Sequence, residues 1–130
     1  MKSKAKLVVY KNDELLLLRK KSKKLRYVLL GGTLEKRESP KQACLREAVE
    51  EGNVNCELKD MKYLTSTLEL NDDKYMYVYY YLTSEVSRYE NMEPHKFIGL
   101  EWVSAREALK HMRKSDRHVI ERFLDGHFIR

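Results

Sequence analysis

Cysteine, proline and glycine are scarce in this chain, which has two, two and five of them among 130 residues. Long apolar runs are also lacking, since no stretch approaches the roughly 18 residues that a membrane-spanning helix requires. The first residues, MKSKAKLVVYKND, turn to charged side chains after a few apolar positions and do not resemble a secretory signal peptide. We therefore expect a cytoplasmic protein with no membrane partner.

The few cysteines and histidines do not form a zinc site. Cys44 lies on a predicted helix and Cys56 beyond its end, so we expect two free, partly buried thiols rather than a disulfide. The four histidines are scattered and show neither an H-x3-H nor an H-E-x-x-H grouping. They are His95, His111, His118 and His127.

Several signatures of known enzyme classes are missing. The chain has no G-x-S-x-G, no P-loop and no G-x-G-x-x-G, so a serine hydrolase, a Walker-type NTPase and a dinucleotide oxidoreductase are unsupported. The aromatic-glycine strand motif of RNA-recognition domains is missing as well. There are no internal repeats and no low-complexity segment.

Chain length and net charge indicate the number of domains and the charge of the partner. A chain of 130 residues with 42% hydrophobic residues predicts a single domain over residues 1–130 that buries roughly two-thirds of its unfolded surface. The net charge of +6 suits anionic partners such as nucleotides, nucleic acid or other phosphates. The positive charge is concentrated between Arg19 and Arg26, in a predicted loop.

Apolar runs and turn residues predict a mixed α+β domain. We expect tight turns at residues 12–13 and 71–73, a loop at 84–95, and a broken helix or two short helices at 105–112 and 116–124. One face of the predicted strand at 74–83 carries four tyrosines: Tyr75, Tyr77, Tyr79 and Tyr81. Such side chains ordinarily pack against a neighbouring strand, and the alternative is that they stack on a nucleobase. The predicted strands are residues 6–10, 14–19, 27–30, 61–70, 74–83 and 97–103.

A helix over residues 40–51 has clear start and stop signals. Ser39 is a good N-cap, Pro40 fits the first helical position, and Gln42 completes an S-x-x-Q capping box. Gly52 and Asn53 tolerate the left-handed conformation that ends a helix, and we expect Asn53 at positive φ. At 100° per residue, we expect an apolar side that faces the core, formed by Leu45, Ala48 and Val49.

The same helix carries Glu47, Glu50 and Glu51 within a narrow arc. These carboxylates repel one another, so something cationic must offset their charge. Mg²⁺ is one such cation, since it is usually held by one or two carboxylates together with substrate phosphates. The other interpretation is an ordinary solvated acidic face in which Arg46 pairs with Glu50 one turn on.

This acidic helix is part of a longer pattern, G-x5-E-x7-R-E-U-x-E-E-x-G-U, which resembles the Nudix box. Asn53 replaces the last glycine of the pattern, and because Asn is the next best residue in left-handed geometry we expect the turn to survive. Leu30 stands where the family commonly has proline before its two glycines. The matching residues are Gly32, Glu38, Arg46, Glu47, Ala48, Glu50, Glu51 and Val54.

The resemblance implies an α/β/α sandwich with a mixed β-sheet between helices. It also implies Mg²⁺-dependent hydrolysis of a nucleoside diphosphate linked to another moiety, with Mn²⁺ as a substitute metal. Carried over by position, Glu47, Glu50, Glu51 and the backbone of Gly32 are the expected metal ligands. Glu47 is alternatively the general base, and Arg46 paired with Glu38 is expected to orient the helix carboxylates.

The resemblance leaves the substrate open. No subgroup signature stands between residues 55 and 70, so we favour a nucleoside triphosphate, as in MutT-like members. Arg19 is the best candidate in the basic loop for a substrate phosphate contact. Glu93 is the candidate for an additional catalytic glutamate, with Glu90 and Glu101 as rivals.

The partner is therefore expected to be a nucleotide or a nucleoside-diphosphate-linked small molecule, with nucleic acid less favoured. The chain itself is expected to be a monomer or a homodimer. The alternative function is a catalytically silent module on the same fold that binds a nucleotide or RNA.

Overall fold

A computed structural model describes residues 2–128 of the chain. Met1, Ile129 and Arg130, which belong to the expected domain of residues 1–130, lie outside the described residues. The strands are β1 Ser3–Lys11, β2 Glu14–Lys20, β3 Tyr27–Val28, β4 Leu30–Thr33, β5 Lys62–Asn71, β6 Lys74–Thr83 and β7 Phe97–Ser104. The helices are α1 Pro40–Gly52, α2 Ala105–Ala108 and α3 Lys114–Leu124, with 3₁₀ turns at Leu58–Asp60 and Leu109–His111.

The strands form a mixed, seven-stranded sheet in the order β3-β2-β1-β6-β5, with β4 paired to β1 and β7 paired to β2. Strand β1 runs parallel to β6 and antiparallel to β4. Strands β1 and β2 pair only beside their turn, through Tyr10 with Leu15 and Lys11 with Glu14. The sheet therefore divides beyond this turn into two halves.

Both predicted tight turns are present. Asn12 and Asp13 have φ values of 52° and 64°, and Asp72 and Asp73 have φ values of 50° and 64°. Two consecutive residues at positive φ are typical of the hairpin turn that matches the twist of its strands. The loop at residues 84–95 and the division of the C-terminal helical region into two pieces are also as expected.

Helices cover both faces of the sheet, so the fold is the expected α/β/α sandwich. The core on one face consists of residues from β1, β2 and α1, among them Ala5, Leu7, Leu16, Leu18, Ala43, Cys44 and Ala48. The core on the other face consists of residues from β1, β2, β6, α2 and α3, among them Val8, Leu15, Leu17, Val78, Tyr80, Ala108, Ile120 and Phe123. Alternation along β1 and β2 divides their side chains between the two cores.

Two details of the strands differ from the prediction. The strand expected at residues 27–30 is two short strands, because β3 pairs with β2 whereas β4 pairs with β1. In β5 an irregularity between Tyr63 and Thr65 inserts an extra residue, so Tyr63 pairs with Tyr81 and Thr65 with Tyr80. These two partners face opposite cores, so Tyr63 and Thr65 lie on opposite faces and strict alternation is broken in the strand predicted at residues 61–70.

A buried ion pair links the sheet to α3. Lys6 Nζ donates to Asp116 Oδ1 at 2.7 Å, and the Tyr80 hydroxyl donates to the same oxygen at 2.7 Å. The side chains of Lys6 and Asp116 are only 11% and 2% exposed. Burial, together with the charge of Asp116, raises the pKa of Tyr80, so the phenol remains a hydrogen-bond donor.

Cys44 and Cys56 are free thiols, as expected, but both are buried rather than partly buried. Burial raises the pKa of the Cys44 thiol. In residues 2–128, no helix is long and apolar enough to cross a membrane.

Candidate functional site

Helix α1 begins as the sequence predicts. Ser39 Oγ accepts from the Gln42 backbone N–H at 3.1 Å, and Gln42 Oε1 accepts from the Ser39 N–H at 3.0 Å. The helix extends one residue further than predicted, to Gly52. Asn53 follows at φ 45° and ψ 39°, which confirms the left-handed cap, and its N–H donates to the Val49 carbonyl.

Small side chains allow α1 to lie close to β1 and β4. Ala43, Cys44 and Ala48 are buried against the sheet, and Leu45 packs at the margin of the same core. Val49, predicted to face the core, is instead 42% exposed. The buried arc is centred on Cys44 and Ala48, and Val49, about 100° from Ala48, lies outside it.

Arg46 is the centre of the polar network on α1. Its Nε donates to Glu38 Oε2 at 2.7 Å, and its Nη2 donates to Glu38 Oε1 at 3.0 Å and to the Thr33 carbonyl at 3.0 Å. Its Nη1 donates to Glu47 Oε1 at 2.9 Å and to Glu50 Oε1 at 3.3 Å. These hydrogen bonds raise the pKa of Arg46, and the hydrogen bond from Arg46 lowers the pKa of Glu38.

The Glu47 carboxylate lies directly against the backbone of β4. A Cβ atom built on Gly32 would be 2.4 Å from Glu47 Cδ, so any side chain at this position would displace the carboxylate. The Glu47 side chain is 21% exposed. Glycine at this position therefore allows a carboxylate and a strand backbone to share one small volume.

Glu51 is the most electrostatically perturbed carboxylate of the helix. Its Oε1 accepts from the Gly31 N–H at 2.9 Å. Burial, together with the charges of Glu47 and Glu93, raises the pKa of Glu51 to about 7, against the opposing effect of this hydrogen bond. The charge of Lys96 acts in the opposite direction.

The segment before β7 brings Glu93 to the end of α1. The Met92 N–H donates to the Glu51 carbonyl at 3.0 Å. Asn91 fixes the next turn, since its Oδ1 accepts from the Glu93 N–H at 3.1 Å and its Nδ2 donates to the Phe97 carbonyl at 2.8 Å. Asn91 and Lys96 were not among the site residues predicted from the sequence, although asparagine two residues before Glu93 is a recognisable signal for an Asx turn.

The structure thus gathers most of the predicted site residues at one place. The C-terminal half of α1, the loop that precedes α1, the glycines of β4 and the segment before β7 contribute them. They are Gly32, Glu38, Arg46, Glu47, Glu50, Glu51 and Glu93.

Arg19 does not belong to this group. It pairs with Tyr27, whose side chain lies in the core on the α2–α3 face, and direct partners point to the same side of a sheet. Glu101 is also near Tyr27, because its charge raises the pKa of that phenol. The rival Glu90 donates its backbone N–H to the Gly52 carbonyl at 2.8 Å.

The carboxylates of α1 have different hydrogen-bond donors. Among residues 2–128, no three His, Cys, Asp or Glu side chains converge into a ready metal cluster. Arg46 donates to Glu47 and Glu50, whereas the Gly31 N–H donates to Glu51. The Glu50 side chain is 57% exposed.

A family model described as the NUDIX domain matches residues 2–123 of the chain. No curated protein matches the chain in sequence.

Solved structures similar to this one share its fold at low sequence identity. The E. coli ORF135 protein is 20% identical with a TM-score of 0.81, over 98% of this chain and 91% of that protein. A C. elegans Ap4A hydrolase binary complex is 19% identical with a TM-score of 0.71, over 96% of each chain. A bifunctional NMN adenylyltransferase/ADP ribose pyrophosphatase from Francisella tularensis, complexed with AMP and Mn ion, is 19% identical with a TM-score of 0.70, over 96% of this chain and 41% of that one.

Proposed function

The chain belongs to the Nudix hydrolase family, and from that premise we propose that it hydrolyses a nucleoside diphosphate linked to another moiety in a Mg²⁺-dependent reaction. A nucleoside triphosphate is the substrate we favour. The main support is the juxtaposition of Glu47 with Gly32 and of Glu51 with Gly31, in a place where the charge of Glu93 also acts. Structural relatives described as an Ap4A hydrolase and as an AMP complex support a nucleotide substrate.

The residues present fit a hard divalent cation. Carboxylate and backbone oxygens are the ligands that Mg²⁺ prefers, and burial with like-charged neighbours raises the pKa of Glu51 to about 7. We assign Glu47, Glu50, Glu51 and the backbone of Gly32 as the ligands. Mn²⁺ has similar ligand preferences and is the expected substitute.

The bound cation would make a coordinated water more acidic and neutralise charge on the leaving phosphate. Arg46 holds Glu47 through its Nη1 and is anchored in turn by Glu38, so the position of Glu47 is set before substrate arrives. Glu47 then serves as a metal ligand or accepts the proton of the attacking water. Glu51 keeps its orientation through the Gly31 N–H.

The test is a nucleotide panel with Mg²⁺, with products identified by mass spectrometry. We expect release of phosphate or pyrophosphate from a nucleoside triphosphate, loss of turnover in excess EDTA, and loss of turnover in Glu47→Gln. Glu57→Gln is the matched control, because its carboxylate is 69% exposed and lies outside the site. Full activity in EDTA would contradict the metal dependence, and nucleotide affinity without product would indicate a silent binding module.

A further inference from the structure

A concentrated positive charge lies between β2 and β3. Residues 20–26 contain Lys20, Lys21, Lys23, Lys24 and Arg26 and no acidic residue. All seven residues are exposed. In the described part of the chain, none of the five basic side chains forms an ion pair, so their charge faces solvent.

Backbone hydrogen bonds fix where this segment lies. The Lys20 N–H donates to the Arg26 carbonyl at 2.8 Å, which closes the base of the loop. The Lys21 N–H donates to the Lys96 carbonyl at 3.1 Å, which ties the loop to the segment before β7. We call the surface formed by these side chains the basic platform. It consists of Lys20, Lys21, Lys23, Lys24, Arg26 and Lys96.

The platform borders the candidate site. Lys96 Nζ is 3.7 Å from Glu93 Oε2, and the charges of both residues act on Glu51. The same segment is joined to the end of α1 through the Met92 N–H and the Glu51 carbonyl. A ligand held at α1 therefore has the platform beside it.

The platform accounts for the net charge of the chain. The sequence has 26 basic and 20 acidic residues, a difference of +6. Removing the six platform residues leaves 20 basic against 20 acidic residues. Charges close to a site act on a ligand with little screening, because the Debye length is about 8 Å at physiological salt.

We propose that the basic platform binds phosphates of the substrate that lie beyond the bond being cleaved, so the preferred substrate is a polyanionic nucleotide. This rests on the proposed function, since it concerns the substrate of the same site. Two molecules that represent this chemistry are the 5′-triphosphorylated end of an oligonucleotide and a nucleoside with a longer phosphate chain. Contact would be with phosphates rather than bases, because the platform segment has no aromatic side chain.

The binding test compares two triple variants with the wild-type protein. Lys21→Gln/Lys23→Gln/Lys24→Gln removes three charges from the platform. The control, Lys59→Gln/Lys62→Gln/Lys74→Gln, removes three exposed lysines beside β5, at the opposite edge of the sheet. Affinity is measured by fluorescence anisotropy in EDTA, over a range of salt, for a short labelled 5′-triphosphorylated RNA and, by competition, for adenosine 5′-tetraphosphate.

We expect the platform variant to lose about tenfold in affinity for at least one of these ligands. Each lost phosphate contact changes the salt slope of log K by about 0.7, so loss of three contacts to RNA lowers that slope by about 2. If affinity is lost for RNA alone, the ligand of the platform is the triphosphorylated end of an oligonucleotide. If affinity is lost for the tetraphosphate, the ligand is a nucleoside with a longer phosphate chain. Equal losses in the two variants or no loss in either would overturn the proposal. Where affinity is lost for RNA alone, equal wild-type affinity for 5′-hydroxyl RNA would overturn it as well.

Turnover in Mg²⁺ separates this proposal from the proposed function. We expect kcat/KM for the larger polyanion, divided by kcat/KM for a nucleoside triphosphate, to fall about tenfold in the platform variant and to stay unchanged in the control. If this ratio is unchanged in the platform variant while the wild-type protein turns over both substrates, the proposal about the platform is wrong and the proposed function stands. Absence of all turnover contradicts the proposed function, while the binding measurement still decides the platform.

Discussion

Arg46 holds Glu38 through two hydrogen bonds, from Nε at 2.7 Å and from Nη2 at 3.0 Å, and uses the rest of its guanidinium to position Glu47. Lysine cannot reproduce this planar, two-point contact. We predict that Arg46→Lys lowers Mg²⁺ affinity or kcat by about 10–100-fold, the usual effect of losing a residue that orients metal ligands. Mg²⁺ titration of kcat measures both quantities.

Glu35→Gln is the control for Arg46→Lys. Glu35 Oε1 is 3.3 Å from Arg46 Nε, but its side chain is 68% exposed, so neutralising it should leave turnover within about twofold. An Arg46→Lys enzyme with normal Mg²⁺ dependence would show that the guanidinium only stabilises the fold.

Glu93 and Glu101 provide a second comparison. The charge of Glu93 acts on Glu51, whereas the charge of Glu101 acts on Tyr27 on the other face of the sheet. We predict that Glu93→Gln lowers kcat by about tenfold and shifts the acidic limb of the pH–rate profile to lower pH, because one charge that raises the pKa of Glu51 is gone. If Glu101→Gln loses turnover and Glu93→Gln keeps it, Glu93 is the wrong glutamate.

Local sequence signals predicted local structure well. Ser39, Pro40 and Gln42 set the start of α1, and Asn53 set its end, because caps depend on residues within one turn. Turn residues at 12–13 and 71–73 predicted both hairpins for the same reason. The cluster of glutamates on α1 followed from spacing along a single helix.

Contacts between distant segments were not predictable from these signals. Lys6 and Asp116 are 110 residues apart in sequence, and neither has a neighbour that indicates a buried partner. Glu93 reaches the site because Asn91 and Met92 hydrogen-bond to Phe97 and Glu51, and Arg19 fails to reach it because of the face on which β2 places it. Both outcomes depend on how strands pair across the whole chain.

Asn53 gives a prediction about backbone strain. The backbone of Asn53 has a φ of 45°. This conformation is higher in energy for a β-branched residue than for asparagine, whereas glycine adopts it without strain. We predict that Asn53→Gly is neutral or mildly stabilising and that Asn53→Val lowers the free energy of unfolding by about 1–2 kcal/mol. Denaturant unfolding of the two variants measures this difference, and equal stabilities would contradict it.

The buried pair of Lys6 and Asp116 gives a prediction about charge burial. Asp116→Asn leaves the Lys6 ammonium without its counter-charge, and we predict a loss of about 3–5 kcal/mol in the free energy of unfolding. Asp125→Asn is the matched control, since Asp125 pairs with Arg106 at 3.3 Å where both side chains are more than half exposed. That change should cost less than about 1 kcal/mol.

Glu51 gives a prediction that links pH, metal and catalysis. Burial and like charges raise the pKa of Glu51 in the folded, metal-free protein from 4.5 to about 7. Above about pH 4.5 the unfolded chain loses the Glu51 proton, whereas the folded state keeps it up to about pH 7. The contribution of Glu51 to the free energy of unfolding is therefore complete below pH 4.5 and is lost as the pH rises through 7. The loss is on the order of 3 kcal/mol, at 1.36 kcal/mol for each pH unit.

Glu51→Gln removes this titration. In EDTA at pH 8, we predict that the variant is as stable as wild type or more stable. Its stability should change less between pH 5 and pH 8 than that of wild type. Glu57→Gln should behave like wild type in both respects. With Mg²⁺, wild type should gain stability through ligand linkage and the variant should gain little, while turnover of the variant falls by orders of magnitude. If Glu51→Gln is destabilised in EDTA but fully active with Mg²⁺, Glu51 contributes to folding and the metal assignment on α1 is wrong.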